Sequence, residues 1–119
     1  MSLTNKQIAE AFSRHEFELT YLHLSDNVRW DNVGGEPILG KVNVINTCEQ
    51  SAKYLTTVTT TFSKFKIIVA ENCVVIDSVA DYTDAESNVS TVASCDIYQF
   101  AEGKVSEITS YTVELNKRS

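Results

Sequence analysis

The spacing of apolar residues is helical in the first half of the chain. Ile8, Ala11 and Phe12 share one face of a predicted first helix. Ser2 or Thr4 can supply its N-cap, because a hydroxyl accepts a hydrogen bond from the first turn. The apolar positions of a second, short helix follow at Phe17, Leu19, Leu22 and Leu24.

A change of pattern follows this second helix. The polar residues 25–27 are expected to end it, and residues 28–30 predict a short strand. Three of the four glycines lie close to Pro37 and predict a turn, since glycine permits positive φ. A third helix is predicted from near Gly40 to about Leu55. Its apolar stripe consists of Ile45, Cys48, Ala52 and Leu55.

The second half of the chain is rich in β-branched residues and predicts a sheet. Four long strands are expected at residues 56–70, 73–83, 89–100 and 104–115, with short turns between them. Because short turns join antiparallel neighbours, these strands should form a meander. Helices packed on one face of such a sheet make an α+β domain, and 119 residues suit a single domain over residues 1–119.

Composition narrows the classes of partner. The formal net charge is −6 at pH 7, and the basic residues do not cluster. Such a surface repels nucleic acid and anionic lipid headgroups, so neither is an expected partner. No apolar run is long enough to span a membrane, and the first ten residues lack the apolar segment of a secretion signal. We therefore expect a cytoplasmic protein.

The cysteines and histidines do not indicate a metal or cofactor site. Cys48, Cys73 and Cys95 lie in apolar contexts without a CxxC pair, which predicts buried, reduced thiols. His15 and His23 are eight residues apart and lack metal-ligand spacing. Both are interpreted as helix-surface or hydrogen-bonded histidines, and no metal or cofactor is expected.

Three motifs, taken in order, resemble the NTF2-like (cystatin-like cone) superfamily, in particular its SnoaL-like and ketosteroid-isomerase-like branches. They are LHLSDNVRW at residues 22–30, GGEPILGKVNV at 34–44 and CDIYQFAEGKVSEI at 95–108. The resemblance covers nearly the whole chain. It implies a strongly curved antiparallel sheet wrapped around the N-terminal helices. Such a sheet leaves its concave side partly empty, which implies a pocket for an apolar small molecule.

The ketosteroid-isomerase-like branch implies two acids in that pocket. Asp31 precedes a V-G-x-E-P turn, as the proton-abstracting aspartate of the branch does, and Asp96 matches its buried acid. The implied chemistry is proton abstraction next to a carbonyl. One carboxylate acts as base, and a second, neutral carboxyl donates to the enolate oxygen. Burial in an apolar cone raises the pKa of a carboxyl, which suits both roles.

Two features depart from that branch. Its tyrosine on the first helix is replaced by Gln7, a weaker donor to a developing negative charge. Arg29 lies two residues before Asp31, so both side chains point to the same face of a regular strand. An adjacent guanidinium lowers the pKa of an acid, which leaves a salt-bridged, structural Asp31 as the alternative. Epoxide-hydrolase relatives have the same Arg-x-Asp spacing, but on a later strand.

Aromatic residues extend the set of candidate ligand contacts. Besides Gln7, the candidates are Trp30, Tyr54, Tyr98 and Tyr111. For Trp30 and the strand tyrosines, including Tyr82, packing in the core is the more typical role. One of these tyrosines is a candidate replacement for the missing donor.

Three functions remain open from the sequence. The first is a small isomerase- or cyclase-like enzyme that uses Asp31 and Asp96 on an apolar carbonyl compound. The second is a non-catalytic protein that binds a hydrophobic small molecule, which Arg29 and the missing tyrosine favour. The third is an interaction module that dimerises through its sheet face, as many relatives do. A homodimer through that face is expected.

Overall fold

The order of elements follows the predicted change from helix to sheet. The computed structural model describes residues 3–116. The helices are α1 (Asn5–Ser13), a 3₁₀ helix (Phe17–His23) and α2 (Lys41–Leu55). The strands are β1 (Leu24–Asn32), β2 (Ile38–Leu39), β3 (Thr59–Ala70), β4 (Cys73–Thr83), β5 (Val89–Ala101) and β6 (Lys104–Glu114). This arrangement confirms the α+β class.

The six strands form one sheet in the order β2-β1-β6-β5-β4-β3. Strands β3 to β6 make the predicted antiparallel meander. Strand β1 lies beside β6 and runs parallel to it, so the sheet as a whole is mixed. The parallel pair arises because β1 precedes the α2 crossover, whereas β6 is the last strand of the meander.

Two local predictions are corrected by the structure. Residues 25–27 do not end the second helix but lie inside β1, where Leu24 and Val28 are fully buried on either side of them. Burial of these two apolar side chains therefore outweighs the polar composition of the triplet. The two-residue strand β2, which pairs with Arg29 and Trp30, was not predicted. Thr4 caps α1 as predicted, whereas Ser2 lies outside the described residues.

The sheet is open and curved, and its concave side faces the helices. The register shifts at three places, between Leu24 and Arg29, between Phe62 and Lys64, and between Gln99 and Phe100. Such bulges bend a strand and increase its twist. The curvature confirms the predicted cone-like architecture.

One hydrophobic cluster joins the helices to the concave side. Its largest fully buried side chains include Ile8, Leu24, Ile76, Tyr98 and Ile108. The predicted stripe of α2 packs on it through Cys48, Ile45, Ala52 and Leu55.

The three cysteines are free, but only Cys48 is buried as predicted. Cys73 and Cys95 are partly exposed, because the strand register turns both side chains toward the convex face. Within the described part of the chain, no helix has the length and hydropathy needed to cross a bilayer.

The two isoleucines Ile76 and Ile68 form a matched pair for testing where the core lies. Ile76 is fully buried on β4, whereas Ile68 on β3 is 48% exposed. Ile76→Ala should lower the free energy of unfolding by about 2–5 kcal/mol through lost burial and a residual cavity. Ile68→Ala should lower it by less than about 1 kcal/mol. Urea denaturation of both variants measures the difference, and equal losses would contradict this core.

Candidate functional site

Cross-strand register decides which side chains face the concave side. Asn32 pairs with Ser110, which pairs with Asp96, so these three residues on β1, β6 and β5 share one face. The next row on that face consists of the small hydroxyl residues Ser78, Ser94 and Thr112. Because these side chains are short, they leave space between the sheet and the helices.

That space is a cavity of about 630 Å³, a size typical of small-molecule sites. Its wall is largely apolar and aromatic, with contributions from Phe12, Phe17, Trp30, Tyr54, Leu55 and Phe62. The titratable residues along it are His15, Tyr54, Tyr82 and Asp96. Among residues 3–116, no Lys, Arg, Glu or Cys lines the cavity.

Asp96 is the acid of this cavity. The Ser13 hydroxyl, at the end of α1, donates to Asp96 Oδ2 at 2.9 Å and also lies 2.6 Å from the Tyr98 hydroxyl. Asp96 is partly accessible because it borders the cavity, but protein atoms surround it closely enough that burial raises the pKa of its carboxyl. The hydroxyls of Ser110 and Ser13 oppose this rise, since they favour the charged form.

His15 and Tyr82 form a second polar pair in the cavity wall. His15 Nε2 lies 3.0 Å from the Tyr82 hydroxyl. Burial lowers the pKa of His15, so its neutral form is favoured. Burial, followed by the nearby charge of Asp96, raises the pKa of Tyr82, so the phenol keeps its proton at neutral pH. His15, two residues after the end of α1, has a φ of 69°, and this left-handed conformation turns the chain there.

Aromatic packing holds the cavity floor. The Phe12 ring makes edge-to-face contacts with three other rings. The distance between ring centroids is 5.1 Å to Phe17 and to Trp30, and 5.8 Å to Tyr98. The Trp30 indole also donates from Nε1 to Ser110 Oγ at 3.0 Å. The floor therefore joins the apolar wall to the polar row that carries Asp96.

The structure does not bring Asp31 and Asp96 together. Asp31 pairs with Thr109, one residue away from the Asn32–Ser110 pair, so it projects from the convex face. There Arg29 Nε and Nη2 donate to its carboxylate at 2.9 and 3.1 Å. The expectation of two acids in one cavity is therefore not met, and the alternative of an Arg-paired Asp31 describes the observed contacts. The Arg-x-Asp pair lies outside the cavity as well.

The other candidate contacts divide between cavity, core and surface. Trp30 and Tyr54 line the cavity, and Tyr54 is 56% exposed at its mouth. Tyr98 is fully buried beneath the cavity and does not line it. Gln7 is exposed and completes the capping box of α1 with Thr4, because short-range backbone bonds at the helix start occupy it. Tyr111 lies on the convex face, since it pairs with Cys95 one residue away from the inward row.

Two polar residues of the site, Ser13 and His15, were not predicted to line the cavity, whereas Tyr82 was one of several open candidates for the missing donor. Ser13 was assigned no role, and His15 was interpreted as a helix-surface or hydrogen-bonded histidine, of which the second describes its contact with Tyr82. Both residues lie near the end of α1, where the helix meets the sheet. Alternation along β4 places Ser78 and Tyr82 on the inward face, and Asp77 and Asp81 on the outward face. This signal could have identified Tyr82.

Neither cysteine chemistry nor a metal centre is built into the described cavity. Burial raises the pKa of Cys48 to about 12, so this thiol keeps its proton. No group of three His, Cys, Asp or Glu side chains with metal-binding geometry occurs within residues 3–116.

Burial of Asp96 should reduce stability at neutral pH. Its folded pKa lies above the unfolded value, so the carboxyl favours folding at acid pH, and that contribution is lost as pH rises through the folded pKa. Asp96→Asn, which mimics the neutral carboxyl, should therefore have a higher free energy of unfolding than wild type at pH 7. The difference should shrink as the pH falls. His15 is present in both proteins, so its own acid-side effect cancels.

Denaturation by urea between pH 4 and pH 8 measures this difference. Asp31→Asn is the matched control on the convex face, where loss of an exposed ion pair should change stability by at most about 1 kcal/mol. If Asp96→Asn were less stable than wild type at pH 7, burial of the charged Asp96 carboxyl would not be the unfavourable interaction described here.

Comparison with known proteins agrees with this fold. No family model and no curated protein matches the chain. An NTF2-like protein of unknown function from Cytophaga hutchinsonii is 32% identical, with a TM-score of 0.79 over 89% of this chain and 93% of that chain. An LEH-like epoxide hydrolase from M. tuberculosis is 17% identical, with a TM-score of 0.67 over 91% of this chain and 81% of its own. A candidate isomerase from Rhodopseudomonas palustris is 18% identical, with a TM-score of 0.72 over 92% of this chain and 91% of its own. The curved sheet, the cavity and the identity to the Cytophaga protein together establish that this chain belongs to the NTF2-like family.

Proposed function

We propose that this protein is an enzyme that moves a proton next to the carbonyl group of an uncharged, apolar small molecule. The observation that most supports this proposal is the Asp96 carboxyl, which borders the cavity and forms no ion pair within residues 3–116. An acid without a counter-ion in a largely apolar cavity is unfavourable for stability. Such a group is typical of a site where proton transfer is needed.

The proposed reaction uses Asp96 as base and then as acid. The carboxylate takes a proton from the carbon next to the carbonyl, and the electrons of the broken C–H bond form an enolate. In a β,γ-unsaturated ketone this enolate is conjugated with the C=C bond, and the same carboxyl returns the proton to the γ-carbon, so that the C=C bond moves next to the carbonyl. Because burial raises the pKa of Asp96, its carboxylate is a stronger base than that of an exposed aspartate.

The enolate oxygen needs a hydrogen-bond donor in the same cavity. The Tyr82 hydroxyl and the Asn32 amide both line it. If His15 carries its proton on Nε2, it donates to the Tyr82 oxygen and leaves the phenol proton for the ligand. Tyr82 would then take the place of the tyrosine that the first helix lacks.

The cavity wall also indicates the charge of the substrate. With no Lys or Arg among the described lining residues, a carboxylate or phosphate ligand would have no cationic partner. Asp96 would in addition repel it. An uncharged carbonyl compound with an apolar body is therefore the best match to this wall.

The fold comparison lends general support. One matched structure is an LEH-like epoxide hydrolase and another is a candidate isomerase, so this fold is compatible with enzymes. Both are under 20% identical to this chain, so the proposed reaction depends on the cavity residues.

Exchange of carbon-bound hydrogen tests the proposed reaction directly. The protein is incubated in D₂O with a panel of cyclic ketones and β,γ-unsaturated ketones, and deuterium next to the carbonyl is followed by NMR. Asp96→Asn should slow the catalysed exchange by about 100-fold or more, the usual contribution of a general base. Asp31→Asn should leave the rate within about 3-fold, because Asp31 lies outside the cavity.

A non-catalytic binding protein is the second candidate function. The absence of Asp31 from the cavity favours it, since the two-acid arrangement of the ketosteroid-isomerase-like branch is then incomplete. In this case wild type retains the ketones without exchange, as ligand-observed NMR would show. Equal exchange rates for wild type and Asp96→Asn would reject the enzymatic proposal.

We also propose that the protein is a homodimer through the convex face of the sheet. Tyr111 and Val113 on β6 are 49% and 60% exposed on this face. Val113→Lys should reduce the dimer fraction at least about tenfold, because a charge in an apolar contact lacks a partner. Leu22→Lys on the 3₁₀ helix, away from the sheet, is the control. Sedimentation equilibrium measures both, and a monomeric wild-type protein would refute the proposal.

A further inference from the structure

We propose that Tyr98 and Trp30 are positioning residues that turn the hydroxyl protons of Ser13 and Ser110 toward Asp96. Each aromatic side chain acts through one serine, so two short hydrogen-bond chains converge on the same carboxyl. The catalytic consequence rests on the proposed function, whereas the hydrogen-bond arrangement can be tested without any turnover.

The first chain runs from Tyr98 through Ser13. Ser13 Oγ lies 2.9 Å from Asp96 Oδ2 and 2.6 Å from the Tyr98 hydroxyl. A serine hydroxyl has one proton, and a carboxylate can only accept. If Ser13 donates to Asp96, its oxygen is left as acceptor, and Tyr98 must be the donor to Ser13. Tyr98 is fully buried, and within residues 3–116 its hydroxyl has no other partner.

The second chain runs from Trp30 through Ser110. The indole Nε1–H is only a donor, so Ser110 Oγ must accept at the observed distance of 3.0 Å. The Ser110 proton is then available to another acceptor. Asp96 lies directly opposite Ser110 in the β5–β6 register, and the Ser110 hydroxyl counteracts the burial-induced rise in the pKa of Asp96.

Sheet geometry explains why both chains end at one acid. Trp30 pairs with Ile108, which pairs with Tyr98, so the two aromatic donors occupy one inward row. The neighbouring row, two residues along each strand, carries Ser110 and Asp96. Because the rows are adjacent, the Trp30 indole in the first row reaches Ser110 in the second, where Ser110 lies opposite Asp96. Ser13 enters between them from the end of α1.

These chains address a specific difficulty of the cavity. A carboxylate in apolar surroundings needs hydrogen bonds to its charged form, and a freely rotating serine supplies them for only part of the time. A buried aromatic donor occupies the serine oxygen and so restricts the direction of its proton. Linked donors also strengthen one another in a low-dielectric interior. Asp96 is thereby kept able to ionise and to act as a base.

Carboxyl titration followed by NMR on protein with ¹³C-labelled aspartate tests this inference. Tyr98→Phe and Trp30→Phe remove the donors but keep an aromatic ring, and each should raise the pKa of Asp96. Ser13→Ala and Ser110→Ala should raise it further, because both hydroxyls favour the charged form of the carboxyl. Tyr111→Phe, which removes a hydroxyl from the convex face, should leave it unchanged.

Other titrating groups around Asp96 are followed in the same series. Tyr98 on its own strand and Tyr82 on β4 face it, and the raised pKa of each phenol keeps both neutral over the titrated range. His15 lines the same cavity and has a lowered pKa, so its ring signals are recorded alongside. A His15→Gln background separates its charge from the shift of Asp96.

The double variant Ser13→Ala/Tyr98→Phe is the decisive measurement. If Tyr98 acts through Ser13, Tyr98→Phe should cause no further change in the pKa of Asp96 once the Ser13 hydroxyl is absent. The inference would be overturned if Tyr98→Phe changed the pKa of Asp96 equally with Ser13 and with Ser13→Ala. It would also be overturned if folded Tyr98→Phe and Trp30→Phe left that pKa unchanged. Thermal unfolding confirms that each variant is folded.

This inference and the proposed function fail in different ways. If the pKa of Asp96 changes as predicted but wild type catalyses no deuterium exchange, the hydrogen-bond chains are supported and only the proposed enzymatic function is rejected. Exchange that depends on Asp96 but whose pH profile is unmoved by Tyr98→Phe would reject the positioning role alone.

Discussion

The register between β1, β6 and β5 is the constraint on which the site depends. It places Asn32, Ser110 and Asp96 in one row facing the helices, and Asp31, Thr109 and Ile97 in the neighbouring row facing outward. Because side chains alternate along a strand, a slip of one residue would exchange these rows. Asp96 would then lie on the convex face. The buried side chains of the same strands, Tyr98 and Ile108 among them, make such a slip unfavourable, so the core that stabilises the fold also orients the acid.

The cavity combines two requirements that oppose each other. Short side chains on the sheet leave room for a ligand, while the aromatic rings around Phe12 keep the floor packed. The same apolar surroundings disfavour the charge on Asp96. Hydroxyls of Ser13 and Ser110 counteract this effect at the point where the carboxyl meets the cavity. Functional sites commonly contain groups that lower the stability of the fold but are needed for chemistry.

Membership of the NTF2-like family accounts for the architecture but leaves the chemistry to individual residues. The spacing of apolar residues and the β-branched composition predicted the helices and the meander, and the family resemblance implied the curvature. The resemblance also implied that Asp31 lies in the cavity. In the structure Asp31 instead lies on the outer face, where Arg29 donates hydrogen bonds to it. The proposed chemistry therefore depends on one acid with hydroxyl and aromatic neighbours. A fold shared with enzymes of different reactions does not select among them.

The sequence by itself determined the local elements, since their signals lie within a few neighbouring residues. The stripe of α2, the cap at Thr4, the long β-branched strands and the shared face of Arg29 and Asp31 all follow from spacing and side-chain type. Only the tertiary structure decided which face of each strand is concave, which acid meets the cavity, and that Ser13 and His15 at the end of α1 meet Asp96 and Tyr82 on the sheet. These contacts join residues more than 60 positions apart. Their geometry depends on how the sheet bends and pairs, and no single segment encodes that information.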